Sequence, residues 1–311
     1  MLDVVALGEL LIDFTCVSAD ADGYPTMAAH PGGAPANFLA AVTKFGGKTA
    51  LLGKVGTDTF GRLLTGTLEK AGIETCGIVA SSDVFTTLAF VTLDEHGDRE
   101  FAFSRKPGAD TQLTFDELDL SLIDETRVFH FGTLSLTGEP ARTTTYRAVE
   151  YAKAHGKLVT YDPNLRKPLW NDLNEAKEQM LWGLRQADVV KISDEEVEFL
   201  FGLGVQDGAQ YILDHYPVKL VFVTCGADGC WFQNRNAGGH VDSLKDIKVV
   251  DTTGAGDIFG GSAVWKLLQT GKRPEDLDEA ELTQIVSFAC RAAGLSTTKH
   301  GGISSVPDSI S

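Results

Sequence analysis

Short apolar runs alternate with amphipathic runs along most of this chain. Residues 4–14 are apolar apart from Gly8, Glu9 and Asp13 and read as a strand ending near Asp13. The spacing predicts a helix over 37–45, stopped by Gly46-Gly47, a strand over 49–55, and a helix over 58–70 ended by Gly72. Further on it predicts strands at 127–131, 157–162, 189–192 and 219–224 and helices over 139–155 and 171–186. Residues 229–234 follow as a β-rich run, Asp194 opens another helix, and two long helices start at Asp257 and Glu279. Strands alternating with helices imply a mostly parallel sheet covered on both faces.

Two segments break the rhythm. Residues 20–34, with Pro25, Pro31 and Gly32-Gly33, read as irregular. Residues 86–94 and 99–104 are β-rich runs joined by Glu95-His96-Gly97-Asp98, a hairpin with a polar loop. No crossover helix covers such a hairpin, so it reads as part of a small β lid. Phe101 and Phe103 share one of its faces, with Arg105 next along it. The other face would stand bare in a monomer, which calls for a second covering surface.

Composition narrows the class. The chain has 311 residues, 43% hydrophobic and 23% charged, enough to bury a large core without disulfide or metal staples. Its formal charge of -16 argues against nucleic acid or an anionic membrane as partner. No apolar run approaches a membrane span, and the first residues lack a basic leader. The 5 cysteines, an odd number without metal-ligand spacing, suit free thiols in a reducing cytoplasm.

The strongest chemical signal is Asp251-Thr252-Thr253-Gly254-Ala255-Gly256-Asp257, which follows the strand-like run 247–250 and opens an apolar helix. Its glycines let the backbone turn and present successive N–H groups, and the helix dipole adds positive potential. That combination suits phosphoryl oxygens. A carboxylate at the mouth of an anion hole repels a ground-state phosphate, so Asp257 reads as a general base for an attacking hydroxyl. An Asp capping its own helix would look the same. The second signal is Asp13 with Gly32-Gly33-Ala34-Pro35-Ala36-Asn37, polar groups and bare backbone suited to sugar hydroxyls. A helix cap and a plain turn are the competing reading. Walker, protein-kinase and GxSxG motifs are absent, and the 7 histidines lack metal-ligand spacing and read as structural or exposed.

Taken together, 32–37 and 251–257 resemble the two signatures of the ribokinase-like carbohydrate kinases, and the resemblance spans the whole chain. Several runs look most like fructokinases: Gly8-Glu9-Leu10-Leu11-Ile12-Asp13-Phe14, Gly53-Lys54-Val55-Gly56-Thr57-Asp58, Asp162-Pro163-Asn164-Leu165-Arg166 and Lys191-Ile192-Ser193-Asp194-Glu195-Glu196. The resemblance implies one α/β domain over 1–311, a three-layer α/β/α sandwich with a β lid from about 14–31 and 86–110. It implies transfer of phosphate from ATP to a sugar's primary alcohol.

Carried over residue by residue, the resemblance makes Asp257 the general base and Gly254, Ala255 and Gly256 the anion hole. Asp13, Gly32, Gly33, Asn37, Phe101, Phe103, Arg105 and Arg166 bind or cover the sugar. Asn164, Lys191, Thr224, Gly226, Gly229, Ala289 and Cys290 line the ATP groove. Glu196 orders Mg2+ through water, in a motif that usually opens with Asn where this chain has Ser193. Asp251, Thr253, Ser296, Lys299, Gly301 and Ser305 fall where ribokinases ligate K+, mostly through carbonyls. The implied assembly is a homodimer in which lid packs on lid. Fructose is the expected substrate. A 2-keto-3-deoxygluconate kinase is the nearest alternative, with Arg105 and Arg166 for the acid group. Ribokinase, adenosine kinase and a silent sensor on the same fold rank below it, since a sensor has no need of Asp257.

Overall fold

Side chains of the first strand face two different cores. Val5 and Leu7 enter one apolar cluster while Val4 and Ala6 enter another, all essentially buried. A strand with both faces covered must lie in the middle of a sandwich. The computed structural model describes residues 1–93 and 99–310, with backbone alone at residues 93 and 99–101. The expected loop 95–98 lies outside the described residues.

In chain order, β1 (Leu2–Leu7) leads out to β2 (Leu11–Ala19) and β3 (Pro25–Gly32). The chain returns as α1 (Ala34–Lys44), β4 (Thr49–Gly56), α2 (Thr59–Ala71) and β5 (Ile78–Ser81), then leaves again as β6 (Leu88–Leu93) and β7 (Arg99–Ser104). There follow α3 (Leu120–Asp124), β8 (Thr126–Gly132), α4 (Ala141–Ala154), β9 (Leu158–Asp162), α5 (Leu173–Gln186) and β10 (Val189–Ser193). The last part is α6 (Asp194–Phe201), α7 (Val205–His215), β11 (Leu220–Thr224), β12 (Cys230–Asn234), β13 (Gly238–Val241), α8 (Ala255–Thr270) and α9 (Glu279–Ser296).

Among the described residues, nine strands form the main sheet in the order β13-β12-β11-β10-β9-β8-β1-β4-β5. It is parallel from β5 to β11 and antiparallel at β12 and β13. One core joins it to helices α3 to α7, and α1, α2, α8 and α9 cover the opposite face. This is the three-layer arrangement that the sequence implied. Strand order reverses between β8 and β1, which opens a crevice at the carboxyl ends of the strands there.

β2, β3, β6 and β7 form a separate four-stranded sheet, the lid. Here the structure differs from the sequence reading. Residues 4–14 are not one strand: the chain breaks at 8–10, so Asp13 stands on a lid strand and not at the end of a body strand. The segment read as irregular contains β3, an edge strand paired antiparallel to β2, and an edge is where Pro25 and Pro31 are tolerated. Residues 247–250, read as strand-like, belong to no strand. α1 begins at Ala34, with Pro35 in its first turn, and α8 at Ala255.

Register decides what each lid face carries. Asp13 pairs with Ala89, which pairs with Phe103, so these three share the side turned toward the cleft. Phe101 pairs with Val91 in the backbone register, and its side chain lies outside the described residues. Phe14 and Phe90 share the other side and stack at 5.3 Å, with Phe60 of α2 edge-on to Phe14 at 5.5 Å. The face expected to be bare is thus covered near its root from within the chain. Toward the outer end of the lid, Val17 is 59% and Tyr24 70% exposed.

Candidate active site

The turn before α8 is built on Gly254, whose backbone is left-handed (φ 76°), a conformation glycine adopts without strain. A Cβ there would stand 2.9 Å from the Gly302 Cα and 3.1 Å from the Asn37 amide nitrogen. The amides of Gly256 and Asp257 lie in the first turn, where no intrahelical acceptor reaches them. Beneath them is Lys191 of β10, whose Nζ would stand 3.0 Å from a Cβ on Gly256. Two first-turn amides thus lie open beside an ammonium, an arrangement able to take an anion.

Asp257 is buried and accepts a hydrogen bond from Asn37 Nδ2 at 2.9 Å. Asn37 is buried too, and its Oδ1 has no hydrogen-bond partner among the described residues. An unpartnered buried carbonyl is costly unless a ligand hydroxyl completes it. Burial raises the Asp257 carboxyl above the ordinary range, against the pull of Asn37, Lys191 and Arg166. Burial also pushes Asp13 up to about 7; Arg166 opposes that, while Asp257 and Asp251 reinforce it. Asp13 Oδ2 occupies the space a Cβ on Gly32 would need, so only glycine lets the turn lie against it. Asp13, Gly32, Gly33, Asn37 and Asp257 thus meet at one place, from β2, α1 and α8.

Two arginines were expected there, and they differ. Arg166 is exposed, and among the described residues its one hydrogen bond goes to the Leu165 carbonyl at 3.4 Å. Arg105 is buried in the lid root. It donates to Asp110 at 2.8 and 2.6 Å, to Thr137 Oγ1 at 2.7 Å and to the Leu134 carbonyl at 2.8 Å. Those are four of a guanidinium's five N–H groups. Phe103 and Arg105 border a cavity of about 510 Å³ with Thr137, Pro168 and Leu169.

The groove beside α8 collects the remaining polar groups. Lys191 pairs with Asp162 at 3.0 Å, and Asp162 Oδ1 also accepts the Asn164 amide at 3.1 Å. Burial raises Asp162 despite Lys191; burial would lower Lys191, but Asp162, Glu196 and Asp257 more than reverse this. Glu196 takes the Leu165 amide at 2.7 Å on one oxygen and the Ser193 amide at 2.9 Å on the other, and burial raises it. The Ser193 hydroxyl accepts the Glu196 amide at 3.2 Å, which closes a capping box on α6. Ser193 therefore does a defined job in place of Asn: it aims Glu196.

Thr224 ends β11, and Gly226 and Gly229 follow with left-handed backbones (φ 53° and 96°). Ala289 is fully buried and Cys290 keeps 6% exposure, both within the core that α8 and α9 share. On the far side of α8, Asp251 accepts the Thr253 amide at 2.9 Å and the Gly301 amide at 3.0 Å. That joins 251–253 to the segment holding Ser296, Gly301 and Ser305, with Lys299 exposed beside it. His130 is structural, stacked on Phe38 at 3.8 Å and held neutral by burial and by Lys191, its pKa pushed down to about 3. All 5 cysteines are free.

Sequence reasoning missed Asp110, Asp162 and Glu9 as parts of this site. Asp162 had a signal, since a carboxylate closes a body strand ahead of Pro163-Asn164. Glu9 had one as well, a charge interrupting an apolar run.

Comparison with known proteins adds a lineage. The profile described as pfkB family carbohydrate kinase matches residues 1–309. Fructokinase-1 of Zea mays is 45% identical over 308 residues, 98% of this chain and 94% of that protein. The crystal structure of a fructokinase from Xylella fastidiosa with bound ATP superposes with a TM-score of 0.90 at 30% identity, covering 99% and 96% of the two chains. A fructokinase from Vibrio cholerae O395, solved with fructose, ADP and calcium ion, gives a TM-score of 0.85 at 32% identity over 98% and 96%.

The Asp13 environment has a consequence for stability. A carboxyl whose folded pKa is about 7, against 3.8 for the free group, binds its proton more tightly when folded. Its contribution to stability is present at low pH and declines as pH rises through that window. Asp13→Asn carries no charge to bury, so it should raise the melting temperature more at pH 8 than at pH 5. Calorimetry at the two pH values checks this, and equal increments would overturn it.

Proposed function

The chain belongs to the pfkB family of carbohydrate kinases, and from that premise we propose that it transfers the γ-phosphoryl group of ATP to the primary hydroxyl of fructose, forming fructose 6-phosphate and ADP. The observation that carries this reading is the buried Asp257 carboxyl, aligned by Asn37 under the open amides of α8. The fructose hydroxyl stands between Asp257 and the anion hole. Asp257 takes its proton as the new O–P bond forms, and ADP leaves with the electron pair of the bond that breaks. A carboxyl held above the ordinary range is a stronger base for that proton than an exposed one. Amides of Gly256 and Asp257 face the oxygens where charge develops, with Lys191 behind them, while the Ala255 amide donates to the Thr252 carbonyl at 3.3 Å. Asp13, Gly33 and the free Oδ1 of Asn37 orient the other sugar hydroxyls. Phe103 on the lid shuts water out, a competing acceptor of the phosphoryl group.

ATP lies along Asn164, Lys191, Thr224, Gly226 and Gly229 with its base toward Cys290. Each Glu196 oxygen accepts one backbone amide and keeps a further lone pair, with Asp162 as a neighbouring carboxyl, a set that fits Mg2+ held through water. When bound, that ion neutralises phosphate charge. Carbonyls of 251–253 and 296–305 would hold K+. Arg105 favours neutral fructose over a keto-deoxy acid. With four N–H groups engaged by the protein it offers no bidentate grip on a carboxylate. The 5 free cysteines suit a cytoplasmic enzyme. The exposed Val17 and Tyr24 on the outer lid support a homodimer through the lids.

In a panel of fructose, ribose, glucose and 2-keto-3-deoxygluconate, followed by ADP release, fructose should give the highest kcat/KM. A preference of about a hundredfold for the keto-deoxy acid would overturn the assignment. Asp257→Asn should fold and bind ATP but lose on the order of 10²–10⁴ in kcat, and near-normal turnover would leave Asp257 a helix cap. Light scattering should report twice 33.4 kDa, with Val17→Glu splitting the dimer. A fully active monomer would contradict the lid assembly.

A further inference from the structure

The helix that carries Asn37 starts without a cap of its own. Gly33 is the N-cap residue of α1 and has no side chain to offer, and Pro35 in the first turn has no N–H. The Ala34 amide is satisfied from elsewhere: it donates to Oε1 of Glu9 at 2.8 Å, across 25 residues of chain. Glu9 is 3% exposed. Its main-chain carbonyl fills the space a Cβ on Gly33 would need, and a Cβ on Gly8 would stand 2.7 Å from the Pro35 ring. The segment 8–9 and the Gly32-Gly33 turn are packed backbone on backbone, with the Glu9 carboxyl as the pin.

On its other side Glu9 feels the lid root. The Arg105 guanidinium and the Asp110 carboxylate are its charged neighbours. Asp110 in turn accepts from the Thr87 hydroxyl, just ahead of β6. The Asn37 amide bonds back to the Gly33 carbonyl at 3.0 Å. Glu9 therefore sits where the lid root and the glycine turn ahead of Asn37 converge, with its carboxyl engaged by the Ala34 amide.

We propose that Glu9 is a positioning residue of the sugar site, capping α1 from outside the helix and so holding Gly33 and Asn37 against Asp13. The idea rests on the fructose reading for its kinetic arm only. It extends that reading by making sugar affinity, and not ATP affinity, depend on a carboxyl that touches neither substrate.

Three variants separate the roles. Glu9→Gln keeps an acceptor oxygen, Glu9→Met keeps the volume without one, and Glu9→Ala removes both. Glu9→Met should raise KM for fructose about tenfold or more, leave KM for ATP within about twofold, and be rescued by Glu9→Gln to within about threefold. Amide exchange of the peptide covering 33–39 should speed up about tenfold in Glu9→Met and stay near wild type in Glu9→Gln. If Glu9→Met does not fold, Glu9→Ala takes its place. Equal rises in both KM values, a Gln variant as impaired as Met, or unchanged exchange would each overturn the proposal. A wild-type enzyme that ignores fructose would sink the substrate reading instead, and the exchange arm would still decide the cap.

Discussion

One hydrogen bond organises the cleft. Asn37 and Asp257 lie 220 residues apart and meet at 2.9 Å, which requires the first turns of α1 and α8 to pack side against side. Helices approach that closely only where side chains are missing. A Cβ on Gly261 would run into the Phe38 carbonyl, one on Gly260 would stand 3.2 Å from the Phe38 ring, and one on Gly302 would run into the Asn37 amide. These glycines are the counterpart of the two polar residues: they make room for the contact that the polar residues complete. Without it the first turn of α8 and the glycine turn ahead of α1 would be two unrelated segments.

The second constraint is electrostatic. A chain of net charge -16 gathers five carboxyls at or beside its cleft, namely Glu9, Asp13, Asp162, Glu196 and Asp257. Burial raises every one of them, opposed by Arg105 at Glu9 and by Lys191 and Arg166 at the other four. A site of this kind is costly for folding and useful for chemistry. A carboxyl held above its ordinary pKa takes a hydroxyl proton more readily, and buried amides and an ammonium act more strongly on a phosphoryl group than they would in water. Glu196 shows how such a group is kept in place, with both oxygens tied to backbone amides and its own amide tied to Ser193.

The lid shows how far one chain reads from its pattern. Alternation identified β6 and β7 as a hairpin and put Phe103 on the cleft face. It failed at β3, where Pro25 and Pro31 look like loop residues and become tolerable only because the strand lies at an edge. It also failed at residues 8–10, where Gly8-Glu9 between two apolar runs marks the exit from the body sheet into the lid. Apolar content says that a segment is buried; it does not say in which of two sheets.

Local physics was therefore enough for the alternation of strands and helices and for the Gly-Ala-Gly-Asp turn, because each depends on residues a few positions apart. The same signals located Asp13, Asn37 and Asp257 one by one, each with a cap or a turn as an equal explanation. Only the tertiary structure decided that they share one cleft, that Arg105 is engaged by Asp110 while Arg166 stays exposed, and that Glu9 caps a helix 25 residues away. Those facts follow from strand order and from close backbone approach between distant segments. A sequence encodes such approaches in the summed packing of its cores, and no local pattern carries them.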